Sequence, residues 1–108
     1  MPQSITPRAL AERLAAGQPV YLVDVRSPEE HAYARLPDSL LIPLPELISR
    51  AGECQPGDGV PVVVYCHHGV RSLTAAALLE RAGLGEVYSL SGGIDAWSLQ
   101  IDPTVPRY

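Results

Sequence analysis

The sequence predicts an α/β protein with a mainly parallel sheet and helices on both faces. Two observations carry this. Short apolar, β-branched runs alternate with helix-patterned segments, and the runs are almost continuously apolar, as strands covered on both sides are. Right-handed crossovers join such units. No internal repeat or low-complexity tract interrupts the pattern.

Thr6 followed by Pro7 reads as an N-cap with proline at the first helical position. Leu10, Leu14 and the alanines between them form one apolar face ending at Gly17, which places a helix at about residues 7–16. Residues 20–25 are too short and too β-branched for a helix and form a strand ending in polar Asp24 and Arg26. Ser27 and Glu30 make a capping box for a second helix that stops before Pro37. A buried strand follows at residues 39–42, and Pro45 opens a helix through Leu47 and Ile48 toward Gly52. Residues 55–59 are loop, and a strand then runs to Tyr65. Beyond Arg71 a helix carries Ala75, Leu78, Leu79 and Ala82 on one face and stops at Gly83. A strand at residues 86–90 and a short helix through Trp97 complete the order, with Trp97, Leu99 and Ile101 packing the last helix and tail onto the core.

A chain of 108 residues fits one domain, residues 1–108. The net charge of -4, a pI near 5.2 and the lack of a basic cluster argue against nucleic-acid binding. All eight basic residues are Arg, and the absence of Lys excludes Schiff-base chemistry. Two cysteines do not make a disulfide scaffold, which points to a reducing compartment. The first residues show neither a basic start nor an apolar run, and no stretch approaches the roughly 20 apolar residues of a membrane span. The expectation is a soluble cytoplasmic protein without a membrane partner.

The chemistry concentrates where the strand through Val64 and Tyr65 breaks at Cys66 and restarts as a helix. Unpaired N–H groups and the partial positive charge of a helix N-terminus stabilise a thiolate, so Cys66 is the candidate nucleophile. Gly69 lets the loop of Cys66, His67, His68, Gly69, Val70, Arg71 and Ser72 turn its N–H groups inward as an anion nest. A persulfide on Cys66 would place its charge on the outer sulfur, within that ring of donors. Ligands of open parallel sheets bind beyond the carboxyl ends of the strands, so Cys66, Asp24 to Arg26, and Ser91 to Gly93 should converge on one pocket. Arg71 either contacts a bound anion or braces the loop through a carboxylate, and Asp24 and Arg26 support the loop. His67 and His68 raise the local positive potential or line the entrance. Neither these histidines nor Cys66 is read as a metal ligand, because three adjacent side chains cannot easily wrap a tetrahedral ion and no second ligand pair is present. Cys54 is a bystander thiol unless the fold brings it near. No cofactor is called for.

Asp24-Val25-Arg26 with Glu30, Leu36-Pro37-Asp38-Ser39 ahead of Ile42-Pro43, the Cys66–Ser72 loop, and Ser91-Gly92-Gly93-Ile94-Asp95-Ala96-Trp97 occur in an order and spacing that resembles a single-domain rhodanese. The resemblance covers almost the whole chain. It implies a three-layer fold with a central, mainly parallel sheet of about five strands, and a thiosulfate sulfurtransferase-like activity. In that activity the Cys66 thiolate takes the sulfane sulfur of thiosulfate or a similar small anion. The sulfur then passes to a thiol, cyanide or a protein acceptor. The segment Asp102 to Tyr108 also resembles the tail of rhodanese modules fused to adenylyltransferases, which implies a relay between a protein donor and cofactor or tRNA thiolation. Ala34-Arg35 stands where the family usually has Gly-His, and Asp38 replaces a turn glycine, a position an aspartate tolerates in the left-handed conformation. A third reading is a Cys-dependent phosphatase or arsenate reductase. Those families usually place five residues between Cys and Arg, whereas four separate Cys66 from Arg71.

Overall fold

The computed structural model describes residues 2–108. The elements run β1 (Gln3–Ile5), α1 (Pro7–Ala15), β2 (Tyr21–Asp24), α2 (Pro28–Tyr33), β3 (Leu40–Leu41), α3 (Leu47–Arg50), β4 (Val62–Tyr65), α4 (Val70–Arg81), β5 (Val87–Leu90) and α5 (Gly93–Gln100). The five strands are parallel and lie in the order β1-β5-β4-β2-β3.

Alternation along β4 divides the core. Val62, Val64 and Cys66 face one side, packed with Val23, Leu47, Ala75, Ala76 and Leu79; Val63 and Tyr65 face the other, packed with Leu10, Leu36, Leu90, Ile94 and Trp97. Helices α3 and α4 therefore cover one face, while α1 and α5 cover the opposite one. Burying one such leucine or isoleucine stabilises by about 1.5–3 kcal/mol, against about 1 kcal/mol for a good N-cap. Buried Leu10 thus holds α1 more firmly than the bond from the Ala9 N–H to Thr6 Oγ1 does.

Several local details differ from the sequence reading. Strand β1 was not predicted; Gln3 and Ile5 pair with Tyr88 and Leu90 of β5. The region opened by Pro45 is not one helix, since the short α3 lies between 3-10 turns at Leu44–Glu46 and Ala51–Glu53. Leu14, at 39% exposure, and Ala82 leave the apolar faces assigned to them; both lie at the C-terminal end of their helices. Leu99, at 59% exposure, does not pack α5, which is held by Ile94 and Trp97. Asp38 has φ 59°, the left-handed conformation its turn requires. Among the described residues, no helix is long and apolar enough to cross a membrane.

Candidate active site

The end of β4 delivers Cys66 to the N-terminus of α4, a helix of 12 residues. Gly69 is the N-cap at φ 97°, a conformation that glycine adopts without steric cost. This turn aims its N–H at Cys66 Sγ (3.1 Å), and the Ser72 N–H approaches from the first helical turn (3.4 Å). Ser72 Oγ lies 3.6 Å from the sulfur and 2.7 Å from Ser89 Oγ on β5, so a hydroxyl pair backs the thiol from below. Cys66 is 1% exposed. Two backbone donors and the helix dipole therefore bear on one sulfur atom in a site largely closed to water.

The loop is fixed from the side by α5. The N–H groups of Ile94 and Asp95 donate to the carbonyls of Cys66 (2.9 Å) and His67 (3.1 Å). Gly93 permits this approach, since a Cβ there would stand 2.4 Å from the His67 oxygen and 2.5 Å from the Cys66 oxygen. Ser91 to Gly93 and the Cys66 loop thus converge as expected.

Arg71 forms a fork with Glu30, Nη1 to Oε1 at 3.1 Å and Nη2 to Oε2 at 3.2 Å. Of its two expected roles, pairing with a carboxylate is the one seen, while the side chain stays 41% exposed and keeps its charge at the mouth. Asp24 and Arg26 are fully buried and paired, Nη2 to Oδ2 at 2.7 Å, and His31 Nδ1 lies 2.8 Å from the same Asp24 oxygen. Arg26 also donates to the Ala34 carbonyl and to the Tyr108 hydroxyl. Burial opposes the charged form of Arg26, but the bonds to Asp24 and Tyr108 outweigh it and hold its pKa above the usual arginine value. Among the described residues this pair makes no direct hydrogen bond to the Cys66 loop, so the expected loop support is not seen as a direct contact.

A sequence model of the rhodanese-like domain matches residues 6–100. The chain belongs to the rhodanese-like domain family. It is 42% identical to a sulfurtransferase of Allochromatium vinosum over 91% of this chain and 90% of that one. It is 36% identical to a probable adenylyltransferase/sulfurtransferase, MoeZ, of Mycobacterium tuberculosis; the match covers 97% of this chain but only 27% of that longer protein. Among solved structures, a rhodanese-like domain protein of Staphylococcus aureus superimposes with a TM-score of 0.81 at 29% identity, covering 98% of both chains.

In this rhodanese-like domain His67 stacks on Tyr108, with ring centroids 3.9 Å apart at 7°, and His68 tilts against its other side at 3.9 Å. Burial, then the neighbouring His68, pushes the His67 pKa down, so His67 is neutral near pH 7 and lines the site without adding charge. Arg71 and the N-terminus of α4 bring positive charge to the same mouth. Cys54 is buried in the loop that precedes β4, whereas Cys66 follows that strand, so β4 with its rise of roughly 3.3 Å per residue separates the thiols. Burial pushes the Cys54 thiol pKa up, and nearby Glu53 adds to the shift. No group of three or more His, Cys, Asp or Glu among the described residues is arranged to hold a metal ion. Three contributors went unassigned in the sequence, namely His31, Ser89 and Tyr108. Ser89 was visible only as a polar residue in an apolar strand, Tyr108 only as part of the tail resemblance, and His31 carried no local signal.

Glu30 supplies a pH prediction. Burial favours its neutral form, but the hydrogen bonds from Arg71, the Ser27 N–H and Tyr108 prevail, and its pKa falls from 4.5 to about 2. A carboxylate depressed on folding contributes stability that is complete above its unfolded value and lost as pH falls through the folded one. The urea midpoint should therefore drop between pH 4.5 and 2, and Glu30→Gln should flatten the slope within that window. A wild-type slope retained in the variant would assign the acid transition to other carboxylates.

Proposed function

We propose that the domain is a sulfurtransferase that forms a persulfide on Cys66 from thiosulfate or another sulfane-sulfur donor and passes that sulfur to a thiol, cyanide or protein acceptor. The observation that supports this best is the convergence of the Gly69 and Ser72 N–H groups on Cys66 Sγ at the start of α4. In the first step the Cys66 thiolate attacks the outer sulfur of thiosulfate. A bond forms between Sγ and that sulfur while the sulfur–sulfur bond of thiosulfate breaks, and its electron pair leaves with sulfite. The negative charge then resides on the outer sulfur, where the loop N–H groups and α4 stabilise it. An acceptor such as cyanide next attacks the outer sulfur, and the electron pair of the bond to Sγ returns to Cys66 as thiolate. Arg71 provides positive charge at the mouth for the anionic donor and the departing sulfite. The thiol must be reduced to react, which favours a reducing compartment such as the cytoplasm.

A relay reading draws on the match to MoeZ, whose name joins adenylyltransferase to sulfurtransferase. Here the donor and acceptor are proteins, and free thiosulfate is a poor substitute. The phosphatase reading is disfavoured by the loop, in which four residues between Cys66 and Arg71 enclose one sulfur better than a tetrahedral phosphate.

Thiocyanate release from thiosulfate and cyanide, measured beside hydrolysis of an aryl phosphate, separates these readings. Thiocyanate release without aryl phosphate turnover is expected. Faster discharge from a protein persulfide than from thiosulfate would select the relay, and phosphate turnover comparable to sulfur transfer would overturn both sulfur readings.

A further inference from the structure

The Asp24–Arg26 pair and the Cys66 loop meet through one side chain outside the loop. The Tyr108 hydroxyl accepts from Arg26 Nη1 (2.6 Å) and donates to Glu30 Oε2 (2.7 Å), the carboxylate that pairs with Arg71. The ring of the same residue lies parallel to His67, the residue next to Cys66, and meets the edge of Tyr33 at 5.9 Å. Tyr108 thus touches the buried pair, the rim and the loop at once. Both hydroxyl bonds go to charged partners, which makes them stronger than neutral hydrogen bonds, so the hydroxyl sets where the ring lies. The segment carrying it is anchored by Ser98 Oγ, which donates to the Val105 carbonyl (2.6 Å), by buried Val105, and by the Arg107–Asp95 ion pair.

We propose, resting on the sulfur-transfer reading, that Tyr108 is a positioning residue that selects donors by size: its ring roofs the Cys66 loop over His67, and its hydroxyl latches the ring between Arg26 and Glu30. Small sulfur anions reach Cys66 past Arg71 with the roof in place. Bulky reagents need the roof displaced. Opposite charges at Arg26 and Glu30 polarise the hydroxyl in one direction, which keeps the latch oriented. Burial, against the opposing bond from Arg26, pushes the Tyr108 pKa up to about 12, so the hydroxyl keeps the proton it donates to Glu30 at all ordinary pH.

The test compares alkylation of Cys66 by iodoacetamide and by pyrene maleimide, followed by the mass of the Cys66-containing peptide, in wild type, Tyr108→Ala and Tyr108→Phe. Alanine removes roof and latch, and the maleimide-to-iodoacetamide rate ratio should rise by about tenfold. Phenylalanine keeps the ring but loses the latch, and its ratio should lie between wild type and alanine. A general loosening of the fold would also expose buried Cys54, so Cys54 labelling should stay at the wild-type level in both variants. An alanine ratio within about threefold of wild type, a phenylalanine ratio equal to wild type, or a rise in the ratio matched by Cys54 labelling overturns the proposal. Labelling needs no sulfur donor, so failure of the wild type to accept sulfur would count against the transfer reading alone.

Discussion

Cys66→Ser is expected to lower thiocyanate release on the order of a thousandfold or more, the scale of loss when a covalent nucleophile is removed. Serine preserves the size of the side chain and its place beneath the Gly69 and Ser72 N–H groups, so the fold should be retained. A hydroxyl is far less nucleophilic toward sulfur at neutral pH, and among the described residues no carboxylate or imidazole hydrogen-bonds to the Cys66 side chain to act as a base. The nearest hydroxyl pair, Ser72 and Ser89, has no carboxylate or imidazole among its hydrogen-bond partners. Cys54→Ser should leave the rate within about twofold of wild type, since that thiol lies before β4 and not after it. The contrast between the two variants is read in one steady-state assay. Comparable losses in both would mean that the thiols act together.

Gly93→Ala is expected to damage stability and activity together. Its φ is 63°, and the added Cβ would stand 2.4 Å from the His67 oxygen, so strain and collision coincide. The atoms in the way are backbone carbonyls that also accept the Ile94 and Asp95 N–H groups, and they cannot rotate aside as a flexible side chain would. Relief requires moving the Cys66–His67 peptide away from α5, which also moves Sγ relative to the Gly69 N–H. A loss of about 2–4 kcal/mol follows from overpacking plus backbone strain. Gly17→Ala is the control. Its φ of 72° carries similar strain, but nothing lies within 4 Å of the added Cβ, and about 1–2 kcal/mol without loss of sulfur transfer is expected. Urea denaturation and thiocyanate release on the two variants check this, and a Gly93→Ala protein no less stable than Gly17→Ala would contradict the close-approach account.

What was legible in the sequence follows from how local the physics is. Ser27 and Glu30 announce the start of α2 because both halves of the capping box lie within one turn, and they form as expected. Residues 62–65 announce β4 because a central strand covered on both faces is apolar throughout. Strand β1 was missed because its three residues include one inward apolar side chain, Ile5, and its identity depends on pairing with β5 more than 80 residues away. The same division holds at the site. Cys66, Gly69 and Ser72 were legible because strand end, turn and helix start are consecutive. The partner of Arg71 was not, because Glu30 lies 41 residues back and was already explained by its role in the capping box. The contacts of Tyr108 were not legible for a similar reason: its segment, Asp102 to Tyr108, stands out only by its resemblance to a rhodanese tail, and its partners, Arg26 just past β2 and Glu30 on α2, lie 82 and 78 residues away.

The proposed transfer depends on a persulfide at Cys66. Intact-protein mass spectrometry tests it most directly, with the protein measured after incubation with thiosulfate, after removal of free donor, and again after cyanide. The expected result is the gain of one sulfur atom, its location on the peptide containing Cys66, its loss to cyanide with release of thiocyanate, and no gain in Cys66→Ser. A sulfur retained by Cys66→Ser and lost by Cys54→Ser would contradict it.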